Sequence, residues 1–343
     1  MSVALELDPA GSPASSARRP EKELLIASKV YTVEDRARSW SVTLSTFALV
    51  AVMVTATVLL PWWWARLPIS LVLGLVMVRA FCLFHDFQHG AILRNSKLAR
   101  GMYWLFGELI LTPPSVWRET HNYHHAHTAK LIGSHIGSYP MLTPAMYQQL
   151  SPVTRWLYRA ARHPVNMLFA IVTVFGIGMN LRPFLRAPKK HWSGLVSLLI
   201  LGAIGALCMW LGRPDAFVYG WVIPMAVAAT TGSYLFYAQH NFPDVHVADR
   251  QTWTFSGAAI DSSSYLKMGP VMNWLTANIG FHHVHHLNAA IPFYRLPEAM
   301  QSIPELQTPH TTTLSPADMA ACFKLKLWSP DQSAMVGYPT ASK

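Results

Sequence analysis

The sequence predicts an all-α integral membrane protein, with four transmembrane helices in two hairpins and a cytoplasmic helical cap that carries a histidine-rich dimetal site. Three observations lead there. The chain is too apolar for a soluble domain, its long apolar runs pair up across short turns, and nine of its histidines cluster at helical spacing beside the ends of those runs. Of 343 residues, 52% are hydrophobic and 13% charged, whereas a soluble chain covers its cores with roughly a quarter charged residues. Much of the surface therefore faces lipid. The net charge of +10 does not point to nucleic acid, because the basic residues lie between apolar runs, where a cytoplasmic membrane surface accounts for them. Cys82, Cys208 and Cys322 offer no disulfide framework, Fe–S motif or zinc pair. Residues 1–38 are polar, without the apolar core of a signal peptide, and read as a disordered cytoplasmic tail.

The first hairpin joins runs 42–60 and 67–84 through Pro61-Trp62-Trp63-Trp64-Ala65-Arg66, an aromatic turn suited to the membrane interface. The second joins runs 192–211 and 216–238 through Gly212-Arg213-Pro214-Asp215. Each run approaches the roughly 20 residues needed to cross hydrocarbon. A fifth apolar run, 164–181, carries Arg155, Arg159 and Arg162 before it and Arg182, Arg186, Lys189 and Lys190 after it. Positive charge on both flanks keeps both ends inside, so this run reads as re-entrant or surface-lying. Of the 27 Lys and Arg, all but Arg66, Arg213 and Arg79 then fall on the inner side. Residues 301–343, rich in Pro and Thr with one amphipathic piece at 317–327, read as a cytoplasmic C-terminal tail without a catalytic role.

The histidines are His85 and His89; His121, His124 and His125; His240; and His282, His285 and His286. Residues i, i+3 and i+4 share a helix face, so H-x-x-x-H and H-x-x-H-H each aim imidazoles at one region. With 16 histidines in 343 residues, one H-x-x-H-H arises by chance about 0.03 times, and this chain has two. The topology places all nine on one membrane side. Nine ligands exceed the four that a single zinc takes, so two metals share them, and an all-imidazole shell suits Fe, Zn, Cu or Ni. A metal transporter is the non-enzymatic alternative, but its histidine tracts would be of low complexity and its spans would carry rows of acids. His163, His191, His246 and His310 are isolated and read as surface or interfacial. His127, His135 and His283 lie beside the boxes but off their shared face.

The segments His85-Asp86-Phe87-Gln88-His89, Trp117 to His125 and Asn278 to His286 closely resemble the three histidine boxes of membrane fatty acid desaturases. Residues Ile291 to Glu298 resemble the stretch after the third box in acyl-lipid and ω-6-type members. The resemblance runs from about residue 42 to 298, within an expected membrane di-iron domain over 39–300. It implies two iron ions (Fe2+/Fe3+) held by the nine histidines, His240 taking the place of a lone histidine at the inner end of the last span. It also implies O2 as co-substrate and a fatty acyl chain as substrate, presented as free acid, CoA, acyl carrier protein or lipid ester. Phe236 stands where some members have an Asn that binds metal through water, leaving a tenth ligand open.

Arg79, inside the second span, is costly in lipid unless it faces inward. It is expected to pair with Asp86 or Glu108, or to meet a substrate head group. Asp86, Glu108, Glu119 and Asp261 are expected to orient imidazole N–H groups. The chain has neither a haem-binding His-Pro-Gly-Gly pattern nor an Fe–S motif, so electrons come from a separate ferredoxin, rubredoxin or cytochrome with its reductase. The same superfamily resemblance leaves fatty acid decarboxylation to a terminal alkene and lipid hydroxylation as alternative outcomes. The expected location is the inner or cell membrane, with both termini and the site in the cytoplasm.

Overall fold

A computed structural model describes residues 18–339. Four helices among them are long and apolar enough to cross a membrane. In chain order the first half comprises α1 (Glu21–Ser28), α2 (Arg36–Leu59), α3 (Trp63–His89), α4 (Lys97–Leu109), α5 (Pro114–His127), α6 (Pro144–Gln148), α7 (Pro152–Ala161) and α8 (Pro164–Leu168). A π-helical stretch, Ile171–Leu181, leads to α9 (Arg182–Arg186) and α10 (Trp192–Trp210). The last membrane helix, Pro214–His240, joins α11 (Pro214–Phe217) to α12 (Ile223–His240) through a π-helical turn. The run 164–181 is not among the four membrane-length helices. Fully buried Asn180 ties it to the turn after α4 by a 2.7 Å bond to the Leu111 carbonyl.

Helix α3 is central: 61% of its apolar window is buried, against 17% in both α2 and α10. Its closest neighbour is α12, where a Cβ on Gly74 would lie 2.5 Å from Val227 Cβ and 2.7 Å from the Pro224 carbonyl oxygen. Only glycine permits that approach, a device common between membrane helices. The outer turns are tied as well. Buried Arg66 meets Asp215 of the second hairpin at 2.6 Å and donates through Nε to the Thr57 carbonyl. Trp62, Trp63 and Trp64 project outward, as an interfacial turn requires.

The polar end holds α13 (Phe255–Asp261), α14 (Pro270–Leu275), α15 (His282–Leu287), α16 (Leu296–Ser302) and α17 (Pro316–Lys324). Two small sheets complete it. Strand β1 (Tyr265–Lys267) pairs in parallel with β2 (Thr311–Thr313), and β3 (Leu327–Ser329) pairs antiparallel with β4 (Ala334–Val336).

The described parts of both tail segments pack against the cap. Residues 1–17 lie outside the described residues, but 18–38 are folded onto the cap. Arg18 pairs with Asp261 at 2.8 Å, Arg19 with Glu305 at 2.6 Å, and Leu24 is fully buried. The short run Leu24-Leu25-Ile26 is the anchor that the polar average of this segment conceals. Residues 301–339 are likewise folded, with Cys322, Leu327, Trp328 and Met335 buried. Asn241, next to His240, donates to the Cys322 carbonyl at 2.7 Å. The sequence signal was present: Leu327-Trp328 and Ala334-Met335-Val336 flank a turn that begins Pro330-Asp331, the pattern of a hairpin.

Candidate metal centre

Each histidine group reaches the site from a rigid helix end. His85 and His89 occupy the last turns of α3, which stops at Gly90 in the left-handed region (φ +72°), a conformation glycine adopts freely. His121, His124 and His125 lie on α5, which Pro114 starts at its first position. His240 is the final residue of α12, and α15 carries His282, His285 and His286. Since His85 and His240 share one site, the second and fourth membrane helices end on the same side.

The nine imidazoles form two sets. One nitrogen from each of His85, His89, His121, His125 and His285 lies within 4.8 Å of the others, and the same holds for His124, His240, His282 and His286. The boxes are divided by helical geometry. Each i, i+4 pair stays together (85/89, 121/125, 282/286), and each i+3 histidine, His124 or His285, turns to the opposite set. His125 and His286 stack across the divide with centroids 4.2 Å apart.

Ring nitrogens in this arrangement fit cations better than they fit one another. The Nε2 atoms of His85, His121, His125 and His285 follow in series at 3.1, 3.1 and 3.2 Å. Those of His124, His240 and His282 follow at 3.1 and 2.9 Å. A neutral imidazole has one N–H, so His121, His125 and His240, each facing two ring nitrogens, cannot satisfy both by hydrogen bonding. The Nε2 atoms of His89 and His286 are buried with no partner. Burial, reinforced by neighbouring imidazoles, holds His121, His124, His125, His282, His285 and His286 well below the ordinary histidine pKa. The rings are therefore neutral, with lone pairs free for a metal.

Outer contacts fix several rings. His85 Nδ1 faces Asp86 Oδ1 at 3.3 Å, and His240 Nδ1 donates to the Ser262 carbonyl at 3.2 Å. Fully buried His283 belongs to neither set; its Nε2 donates to the Leu306 carbonyl at 3.1 Å, bracing α15. His127 stacks on Tyr123 at 3.9 Å and does not join the sets, nor do His135, His163, His191, His246 and His310. The Ser262 and Leu306 carbonyls went unread in the sequence because a backbone acceptor leaves no side-chain signal.

Several expected partnerships are corrected. Of the four acids, only Asp86 meets a box histidine. Glu108 accepts from Ser197, Glu119 pairs with Lys190 at 2.7 Å, and Asp261 pairs with Arg18. Arg79 meets no carboxylate: it donates to the Trp274 carbonyl and to Thr46 Oγ1, and lies 4.3 Å over the Trp274 ring. Its charge is thus met by a carbonyl dipole and a ring face. Phe236 packs between His124 and His240, with centroids at 4.9 and 5.3 Å, and offers no donor for a tenth ligand. A solvent-facing recess of about 410 Å³ opens onto His89, His125 and His286, beside Trp253 and Phe255.

The fold and site define an all-α membrane protein with two clusters of imidazoles, of a kind that can hold metal ions, at the polar end of its four membrane-length helices. The family model described as fatty acid desaturase matches residues 61–316, so the chain belongs to the fatty acid desaturase family, oxidoreductases that act on fatty acyl chains. It is 29% identical over 263 residues to a fatty acid desaturase of Bacillus subtilis, covering 76% of this chain and 74% of that one. It is 26% identical over 277 residues to the sn-1 oleoyl-lipid 12-desaturase of a Synechocystis species, covering 78% and 76%. An sn-1 acyl-lipid omega-3 desaturase (ferredoxin) of a Nostoc species is 25% identical over 252 residues, covering 70% and 68%.

Proposed function

We propose that the chain inserts a double bond into a long acyl chain, using O2, two iron ions held by the five- and four-histidine sets, and electrons from a separate carrier. The observation that carries this reading is the division of nine imidazoles, six of them buried and three half-buried, into two adjacent sets. When bound, iron supplies the oxidising power to take hydrogen from an unactivated C–H bond. The protein holds the rings neutral, fixes His85 through Asp86 and His240 through Ser262, and excludes water with Trp117 and Phe236. The ring of Trp117 stacks on His121 at 4.2 Å.

The recess beside His89, His125 and His286 is the approach we assign to the carrier, because it reaches ligands of both sets from solvent. The Nostoc relative, an omega-3 desaturase whose name specifies ferredoxin, supports a one-electron iron–sulfur carrier. We place the histidine-bearing side in the cytoplasm, since nearly all Lys and Arg accompany it. The test is reconstitution in vesicles with ferredoxin, its reductase, NADPH, O2 and perdeuterated hexadecanoyl substrates, read by mass spectrometry. Internal alkene, with two deuterons lost, supports the reading. Terminal alkene with CO2, alcohol, or no product under any donor overturns it.

A further inference from the structure

The most deeply buried arginine in the described structure has no acid to balance it. Arg162 is 1% exposed and follows α7, just before the apolar segment that opens with α8. Its Nη groups donate to the Pro140 carbonyl and to Asn241 Oδ1, both neutral, and its Nε has no partner. The faces of Tyr158 and Tyr237 lie 5.8 and 5.5 Å away. The surroundings add positive charge. Lys326 Nζ lies 2.8 Å from the Arg162 carbonyl, and burial together with the Arg162 charge pushes that ammonium down to about 8. A charge removed from water without a counter-charge is strongly disfavoured.

Arg162 lines a partly enclosed cavity of about 30 Å³ whose wall includes Lys130, Ser138, Tyr139, Asn241, His124 and His240, and no acidic side chain. That space holds two or three small groups, the size of a carboxylate rather than of a tetrahedral phosphodiester. On one side it meets the four-histidine set. On the other, the chain continues into α8 and its exposed Val165, Leu168 and Phe169, where an acyl chain in lipid could approach.

We propose that this cavity receives the carboxylate of an acyl substrate, paired to the Arg162 guanidinium, with the adjoining methylenes directed toward His124 and His240. The identity of the ligand as an acyl chain rests on the desaturase reading; the anion site rests on the cavity. A guanidinium suits a planar carboxylate because its adjacent N–H groups match the two oxygens. Anchoring that end makes the protein count the oxidised position from the carboxyl group, independent of chain length.

Equilibrium binding of hexadecanoic acid, methyl hexadecanoate and hexadecyl phosphate to the purified full chain tests the site. The acid is expected to bind about tenfold or more tighter than the ester, as a charge-assisted pair would give. Arg162→Gln should erase that ratio while ester binding persists, and Ser138→Phe, which fills the cavity, should lower the acid to the ester's level. Equal affinity of the native protein for acid and ester overturns the proposal, as does a ratio preserved in both variants. Tighter binding of hexadecyl phosphate than of the acid also overturns it, in favour of a lipid phosphate. If Arg162→Gln does not fold, the native ratio and Ser138→Phe decide. Failure of the desaturase reading would show as absent product with the acid-to-ester ratio intact, so the two failures are separable.

Discussion

Asp86 and Phe293 join the first histidine box to the strap after the third: Asp86 Oδ2 accepts the Phe293 N–H at 2.7 Å while its other oxygen faces His85 Nδ1. One buried carboxylate thus sets the position of the ring beside it and of a loop 207 residues away. Asp86→Ala leaves a buried N–H without an acceptor, at a cost of about 1–3 kcal/mol. It should lower the melting temperature and the metal content together. Asp86→Asn keeps an acceptor and should recover most of the thermal stability. Unchanged metal content in the alanine variant would remove Asp86 from the support of His85.

Because the two imidazole sets are distinct, single substitutions should be selective. His282→Ala strips the four-histidine set and should reduce bound metal from about two ions per chain to about one, and His85→Ala should do the same through the other set. The double variant should hold neither. Elemental analysis of protein purified in mild detergent measures this directly, without turnover. Complete loss in either single variant would mean that the sets do not bind independently.

Gly74 and Gly232 should respond in opposite ways to Leu. At Gly74 the added atoms meet Val227 and the Pro224 carbonyl at once, so Gly74→Leu should separate α3 from α12 and cost of order 1–3 kcal/mol or more. Nothing lies within 4 Å of a Cβ on Gly232. Gly232→Leu should fold normally, and if that open side accommodates substrate it should shorten the accepted chain. Thermal shift separates the two variants, and product analysis reads the second effect.

The N-terminal arm should release in acid. The guanidinium of Arg19 holds the Glu305 carboxyl down to about 2, below its ordinary value near 4.5. A depressed carboxylate contributes stability above its unfolded pKa and loses it as pH falls, here from about 4.5 toward 2. Protection factors of amides 19–28, corrected for intrinsic exchange, should fall as pH drops through that window, and Glu305→Gln should lower them already at neutral pH. Arg18–Asp261 is a second tether, so a residual slow population is expected until that pair is removed as well.

The four spans were legible because hydrophobic length is a property of contiguous residues, and His85, His89 and the two H-x-x-H-H boxes because helical spacing converts directly to direction. What was hidden depends on distant partners. The sorting of His124 away from His121 and His125 follows from which helix faces α5, and the sequence does not state that. Arg79 was expected beside an acid because charge balance is the simplest resolution from residue type alone. A carbonyl and a tryptophan face, both unmarked in the sequence, resolve it instead. Composition averaged over tens of residues predicts tails at both ends because it hides short anchors such as Leu24-Leu25-Ile26.

The order in which the ligands leave the ribosome is built into their sorting. Four members of the five-histidine set, His85, His89, His121 and His125, are synthesised before the second hairpin begins. The four-histidine set has only His124 until His240 arrives with the last membrane helix, and it gains its remaining pair with α15. The two sets therefore mature at different times: one is nearly complete while half the membrane bundle is still missing, and the other closes only after all four helices can be in the bilayer. The Leu306 carbonyl that braces α15, and β2, which pairs with β1, emerge later still.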